Sequence, residues 1–379
     1  MKVIVGIPCL KRGGTEIQTL YLVQALILAG YTVQVLCYFE YEDEVTSEYE
    51  QAGCIVQLLH YSRSMPKLLF IHILAKIIQK ASPDVVHIQY MAPGALPIFA
   101  AKFAGVKKVL ATVHQPFTAS HGLPAKFMLR AASVLCTHFI AVSPSAERSW
   151  FGSSYMYDER ESDIPPRHFT LYNAVDAGRI VSLQSTSEAE SIKKKYRDGA
   201  SFVFGYIGRL RHEKGVDVLC EAFGRIDQYF TEIKLLIVGD GPDRGVLEER
   251  FTSNPWWKNV YFAGMKSWEE SMMHLAAMDA VIIPSRFEGF GLAAVEAMAA
   301  SKPLIASLTG GLSDIIEHDK SGLLFESENV NVLADMMCLI IQDEHKRQSL
   351  QKGAFERSKC FDINVFNKFI KDLYRQVLL

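Results

Sequence analysis

The sequence predicts an α/β protein with two doubly wound parallel-sheet domains, one after the other. Short β-rich runs alternate with helical patterns along most of the chain, which implies parallel strands joined by helical crossovers. The chain has 379 residues, and domains usually run to about 100–200. Apolar residues make up 49%, ordinary for a protein that buries two full cores.

In the first half the strands read as VIVGIP, TVQVLCYF, VVHIQ, KVLATVH and HFIAVS. Thr15-Glu16-Ile17-Gln18 is a capping-box pattern that opens a helix ending near Gly30. Ser143 followed by Pro144 predicts an N-cap with proline at the first helical position. Gly152 to Arg167 is polar, carries adjacent prolines and reads as an irregular loop. FTLYNAVD follows as a short strand, and Ser182 to Asp198 as a charged connector with a short helix.

The second series reads FVFGYIG, IKLLIVGDG, NVYFAG, AVIIPS, PLIASL and GLLF. Ser267-Trp268-Glu269-Glu270 is another capping box. Asp362 to Leu379 has the helical spacing of aromatic and aliphatic residues. The expected domains are 1–180 and 181–360, with 361–379 as a final helix. No solenoid repeat or low-complexity segment interrupts the pattern.

The totals narrow the function. A net charge of −2 lacks the basic excess expected of a nucleic-acid-binding domain. The seven cysteines are scattered without CxxC spacing, which argues for a reducing, cytoplasmic setting, against a disulfide framework and against structural zinc. The apolar run before Lys11 is too short for a signal-peptide core, and there is no uncharged apolar stretch of about 18 residues. Pro66 to Lys80, PKLLFIHILAKIIQK, reads either as a helix packed on a sheet or as one leaning on the inner face of a membrane.

Ligands of doubly wound sheets bind beyond the carboxyl ends of the strands, and four glycine-containing turns stand there. The strongest is Gly289-Phe290-Gly291, between AVIIPS and an alanine-rich helix that starts near Leu292. Unpaired N–H groups at such a helix start suit a phosphate or sugar hydroxyls. Glu288 and Glu296 bracket this turn, and a carboxylate can accept hydrogen bonds from vicinal hydroxyls. Taken singly, each would be a solvated surface glutamate. The second turn, Gly208 to Gly215, holds Arg209 and Lys214, which suit a diphosphate, though a solvated basic loop also fits. The third, Lys11 to Thr15 with Gly13 and Gly14, suits the same ligand or is a plain tight turn. The fourth, Gly239-Asp240-Gly241-Pro242, lacks the rest of a dinucleotide fingerprint. His114 ends its strand on the ligand side, or is a structural histidine. No DxD provides a carboxylate pair for a metal, so neither metal nor cofactor is expected.

Together these motifs resemble the retaining glycosyltransferases of the GT-B fold, in particular glycosyltransferase family 4. EGFGLAAVE, preceded by PSRF, is similar to that family's Glu-x7-Glu signature. GRLRHEKGVDVL resembles its phosphate loop, IVGDGP the following turn, and SLTGGLSDIIEHDKSGLLF the segment with paired glycines, here Gly310 and Gly311. GGTE, ATVH, AVSPS and LYNAVD fall in the expected order in the first half. The resemblance implies two Rossmann-like domains with a cleft between them, the first binding the acceptor and the second the nucleotide sugar, with the final helix crossing back onto the first. It further implies that Arg209 and Lys214 neutralise the diphosphate, approached by the Gly14 backbone. Glu296 would hold the ribose, and Glu288 with the amides of Phe290, Gly291 and Leu292 the transferred sugar. His114 would sit near the reacting carbon. The implied reaction is retaining, metal-independent hexosyl transfer from a UDP-sugar, UDP-glucose being a guess, or a GDP-sugar. The implied acceptor is a glycan or lipid-linked molecule in polysaccharide or glycoconjugate synthesis. A GT-B-fold epimerase or phosphorylase, or a non-catalytic nucleotide-sugar-binding protein, are the alternatives. Asp314, Ala174 and Gln115 depart from the family's common Glu, Gly and Asp at their positions.

Overall fold

The computed structural model describes residues 1–90, 94–118, 121–157 and 166–378. The chain forms two compact units, Met1–Ala174 with Ile363–Leu379, and Val175–Asp362. The units therefore part at Ala174 rather than at 180, which lies inside the helix Ala177–Gln184 of the second unit.

The first unit holds a seven-stranded sheet: β1 (Lys2–Ile7), β2 (Thr32–Cys37), β3 (Ile55–Leu58), β4 (Val85–Tyr90), β5 (Lys108–Val113), β6 (His138–Ala141) and β7 (His168–Thr170). Their order is β3-β2-β1-β4-β5-β6-β7, parallel throughout. The central strands are continuous apolar runs because helices cover both faces, and Val3, Ile4 and Val5 are fully buried. The strand reading misses β3, a short edge strand that is only half-buried and carries a glutamine. The last helix, Ile363–Leu378, sets Phe366, Ile370, Leu373 and Tyr374 into the same core as β1 and the helix Gly14–Leu28.

The second unit holds six strands: β8 (Phe202–Ile207), β9 (Ile233–Val238), β10 (Val260–Gly264), β11 (Ala280–Ile283), β12 (Leu304–Ser307) and β13 (Leu323–Phe325). They lie in the order β10-β9-β8-β11-β12-β13, again parallel. Strand order reverses between β1 and β4 in one sheet and between β8 and β11 in the other. Loops leaving the carboxyl ends of strands on either side of such a switch diverge and leave a crevice.

Two of the three helix entries form as read. Ser143 Oγ accepts the Ala146 amide at 3.1 Å with Pro144 in the first turn, and Ser267 with Glu270 makes a reciprocal capping box. The Thr15–Gln18 box does not form. The helix begins at Gly14 after Gly13, without a side-chain cap. Gln18 is used elsewhere, its amide bonding both backbone groups of Ala174 at 2.7 and 2.8 Å.

The lysine-flanked segment read as Pro66 to Lys80 is the helix Lys67–Ala81, and it covers the sheet through Phe70, Leu74 and Ile78. Half of the loop read over Gly152 to Arg167, residues 158–165, lies outside the described residues. No helix among the described residues is long and apolar enough to cross a membrane.

Candidate active site

In the second unit β8 and β11 lie side by side, so the loops that follow them meet. From the β8 loop, Lys214 Nζ reaches Glu288 Oε2 of the β11 loop at 2.8 Å. Both side chains are mostly buried, with 25% and 15% of their surface exposed. Ser285 Oγ donates to the same Glu288 oxygen at 3.3 Å. The helix Leu292–Ala299 begins four residues beyond Glu288, so the amides of Gly291 and Leu292 have no partner inside the helix. A cation, a carboxylate and a helix start thus converge at the switch point of one sheet.

Two glycines permit this convergence. Gly215 has φ +64°, and a Cβ there would collide with the Pro284 carbonyl oxygen. Gly310, at φ +46°, presses equally close on the Glu288 carbonyl, whose oxygen accepts the Gly311 amide at 3.1 Å. The paired glycines therefore support the backbone that carries Glu288.

An ion-pair cluster joins the loops from behind. Arg286 donates from Nη1 and Nη2 to the two carboxylate oxygens of Asp217, each at 2.8 Å, and from Nε to Glu328 at 2.7 Å. Burial by itself would raise the Asp217 carboxyl, but the Arg286 hydrogen bonds and charge outweigh it and hold the group below its ordinary 3.8. The Arg286 and Phe287 amides also donate to the Glu213 carbonyl at 2.9 and 3.3 Å. Neither Arg286 nor Asp217 stands out in the sequence. Their pairing joins residues 69 apart, and no local pattern announces it.

The other expected donor-site residues take distinct positions. Arg209 is exposed at the carboxyl end of β8, and its carbonyl accepts the buried Tyr206 hydroxyl at 2.9 Å. Phe290 is buried with its ring edge on Phe361. Glu296 Oε1 accepts the Trp268 indole N–H at 2.8 Å. Burial raises the Glu296 carboxyl above its ordinary range, and the indole hydrogen bond opposes this. In the sequence Trp268 stands only as part of a capping box. The Gly239–Pro242 turn is a support, since Leu210 donates to the Asp240 carbonyl at 3.0 Å and accepts the Asp243 amide at 3.2 Å.

His114 and Gly14 belong to the first unit. His114 follows β5, and its Nε2 lies 2.7 Å from Gln89 Oε1 on β4. Burial lowers its pKa from 6.5 to about 4, so the imidazole is neutral at pH 7. Its Nδ1 is buried with no hydrogen-bond partner among the described residues. If Gln89 accepts, the hydrogen is on Nε2 and Nδ1 is left as an acceptor. Gly14 opens its helix as expected of a strand-to-helix turn. The neighbouring Arg12 pairs with Glu44 at 2.8 Å.

Comparison with known proteins extends these local findings to the whole chain. Residues 12–152 match the model of Glycosyltransferase Family 4, and residues 187–357 that of Glycosyl transferases group 1. The chain is 26% identical over 305 residues to an uncharacterised glycosyltransferase of Methanocaldococcus jannaschii, covering 79% of this chain and 78% of that protein. It is 26% identical over 288 residues to the N-acetyl-alpha-D-glucosaminyl L-malate synthase of Bacillus anthracis (75% and 72% covered). It is 29% identical over 267 residues to a GDP-mannose-dependent alpha-(1-6)-phosphatidylinositol monomannoside mannosyltransferase of Mycobacterium tuberculosis (67% and 66% covered). Among solved structures, a Rickettsia africae glycosyltransferase superposes with a TM-score of 0.81 at 20% identity, covering 100% of this chain and 98% of that one. Anabaena HepE in complex with UDP and glucose superposes at 0.79 with 21% identity, covering 97% of each chain. At such identities the structural likeness concerns the fold, and the matched family models speak for the chemistry. The chain belongs to family 4 of the GT-B-fold glycosyltransferases.

Proposed function

We propose that this glycosyltransferase moves a hexose, with retention of anomeric configuration and without a metal ion, from a nucleoside diphosphate-sugar to a glycan or lipid-linked acceptor. The observation that carries the reading is the Lys214–Glu288 pair at 2.8 Å beside the start of the helix Leu292–Ala299. Lys214 and the exposed Arg209 supply positive charge for the diphosphate, and the helix start adds unpaired amides. Glu288, with the amides of Phe290, Gly291 and Leu292, serves the hydroxyls of the transferred sugar. Glu296 accepts a ribose hydroxyl through the oxygen not bonded to Trp268. His114, neutral at pH 7, serves the sugar near its reacting carbon as a hydrogen-bonding group, and the Gly14 backbone approaches the diphosphate.

In the reaction the bond from the anomeric carbon to the diphosphate oxygen breaks as the acceptor oxygen bonds to the same face of that carbon. The leaving diphosphate keeps the bonding electron pair and takes the acceptor proton. Lys214, Arg209 and the helix start stabilise the negative charge that develops, usually a large contribution in catalysis. A UDP-sugar is the first donor to test, because HepE holds UDP and glucose. GDP-mannose is the second, because the mycobacterial relative is named for its dependence on it.

A thermal-shift screen of nucleoside diphosphates and their sugars tests the reading. The true donor at 100 times its dissociation constant adds about 2.7 kcal/mol of stability. NMR of the product then reports the anomeric configuration, with EDTA present throughout. No shift with any nucleoside diphosphate, an inverted product, or turnover abolished by EDTA would each remove the corresponding part of the proposal.

A further inference from the structure

One face of the first sheet changes character along β4 and β5. Val85, His87 and Gln89 of β4 share that face with Leu110 and Thr112 of β5, and His114 is next in the alternation. The row begins apolar, with Val85 and Leu110 in the same core as the last helix. Toward the carboxyl ends it turns polar, yet His87, Gln89, Thr112 and His114 are each no more than 9% exposed.

His87 is fully engaged in the fold. Its Nδ1 lies 2.8 Å from the Tyr374 hydroxyl and its Nε2 lies 2.7 Å from Thr112 Oγ1. Gln89 and His114 have each other, Oε1 to Nε2 at 2.7 Å, and then stop. Gln89 Nε2 and His114 Nδ1 are both buried without a hydrogen-bond partner among the described residues. A buried polar atom left unpaired costs about 1–3 kcal/mol. Two of them on bonded side chains, where the strands of such a sheet meet ligands, call for a partner from outside the fold.

The inference rests on the proposed role of His114 at the transferred sugar. A neutral imidazole carries one hydrogen, and the nitrogen that holds it decides whether the other donates or accepts. Burial lowers His114 to about 4, so no second proton is taken near neutral pH. With the Gln89 carbonyl oxygen facing Nε2, the hydrogen stays on Nε2 and Nδ1 presents a lone pair. A carboxamide turned over would instead donate to Nε2 and leave the hydrogen on Nδ1. We infer that Gln89 is the positioning residue of His114, holding the Nε2–H form so that Nδ1 accepts a hydrogen bond from a sugar hydroxyl. The Gln89 amide hydrogens give the ligand a donor beside that acceptor.

The test is long-range 1H–15N NMR of the full chain labelled at histidine, with the His114 signals identified by their loss in His114→Asn, alongside steady-state kinetics. In the wild type Nε2 carries the hydrogen and Nδ1 does not, and the Nδ1 resonance moves when UDP-glucose or GDP-mannose binds. Gln89→Met, of similar volume, frees the ring, so the two nitrogen shifts move toward each other. Its kcat falls by about tenfold or more through lost orientation. Its affinity for UDP or GDP, whichever raises the melting temperature, stays within about twofold, because the cations assigned to the diphosphate belong to the second unit. Thr112→Val takes a polar group from the same face without touching the Gln89–His114 pair. It leaves the His114 shifts in place and kcat within about twofold. An Nδ1–H form in the wild type overturns the inference, as do unchanged His114 shifts in Gln89→Met or an equal loss of kcat in both variants. Absence of turnover with every donor would instead remove the proposed function, while the NMR arm still scores the Gln89–His114 contact by itself.

Discussion

Replacing Lys214 by alanine and Glu288 by glutamine, singly and together, separates the two roles assigned to this pair. In the free protein the Lys214 ammonium is held by Glu288 Oε2 at 2.8 Å. A diphosphate that takes the ammonium must compete with that carboxylate. A charge-assisted hydrogen bond contributes about 1.5–3 kcal/mol, so Lys214→Ala should weaken binding of the free nucleoside diphosphate by about 10- to 150-fold. Glu288→Gln has the opposite sign for the free diphosphate, because it removes the competitor, and affinity stays level or rises. For the sugar-bearing donor Glu288→Gln removes a hydroxyl partner, so the preference for donor over diphosphate shrinks. Turnover falls by at least about tenfold in either variant, on the order of 1.4 kcal/mol. Isothermal titration with diphosphate and with donor reads the affinities of each variant, and nucleotide release reads turnover. The folding cost should be small, since Glu288 keeps its contact with Ser285 and 15% of its side chain is already exposed. Diphosphate affinity within about twofold of wild type in Lys214→Ala would refute the reasoning. So would Glu288→Gln weakening the diphosphate as much as Lys214→Ala, which would reduce the carboxylate to a support for the lysine.

Arg286→Ala takes the cation from Glu328 and the two-point partner from Asp217, which keeps only Arg250 at 3.7 Å, and should cost about 2–4 kcal/mol in chemical denaturation. Because the folded Asp217 carboxyl lies below its ordinary 3.8, the pair's contribution is complete above about pH 4. The gap between wild type and variant should therefore narrow as pH falls further. Gly215→Ala forces a Cβ at φ +64° against the Pro284 carbonyl. It should lower stability by about 2–3 kcal/mol and weaken diphosphate binding along with it; unchanged values in thermal melts and titrations would contradict the packing described. His87 and His114 are buried with pKa values lowered by burial to about 3 and about 4. The unfolded chain binds protons at both near 6.5, so stability should be lost as pH falls from there toward 4, by about 1.4 kcal/mol per pH unit for each. Imidazole NMR shifts of either residue titrating near 6.5 would show that it is not buried and neutral.

What could be read in the sequence follows from how local each signal is. Periodicity and short apolar runs mark the central strands because each is buried on both faces whatever its neighbours are. β3 escapes because an edge strand is half exposed and its run is only four residues long. Ser143 and Ser267 were readable as caps because their bonds close within three residues, at Ala146 and Glu270. The same motif at Thr15 misleads because Gln18 has a stronger use, bonding the backbone of Ala174 156 residues away.

At the candidate site the sequence by itself determined which chemical groups follow which strands: the glycines of three turns, the cations of the β8 loop, and the two glutamates around the helix start. Composition and order along the chain suffice for that. Only the tertiary structure decided which groups meet. Lys214 finds Glu288 across 74 residues because the strand order sets β8 beside β11. Trp268 occupies one oxygen of Glu296, Arg286 ties Asp217 to Glu328, and Gln89 partners His114 for similar reasons. Local propensity acts over a few residues, while partner and exposure are set by the sheet order and by what the remaining chain leaves uncovered.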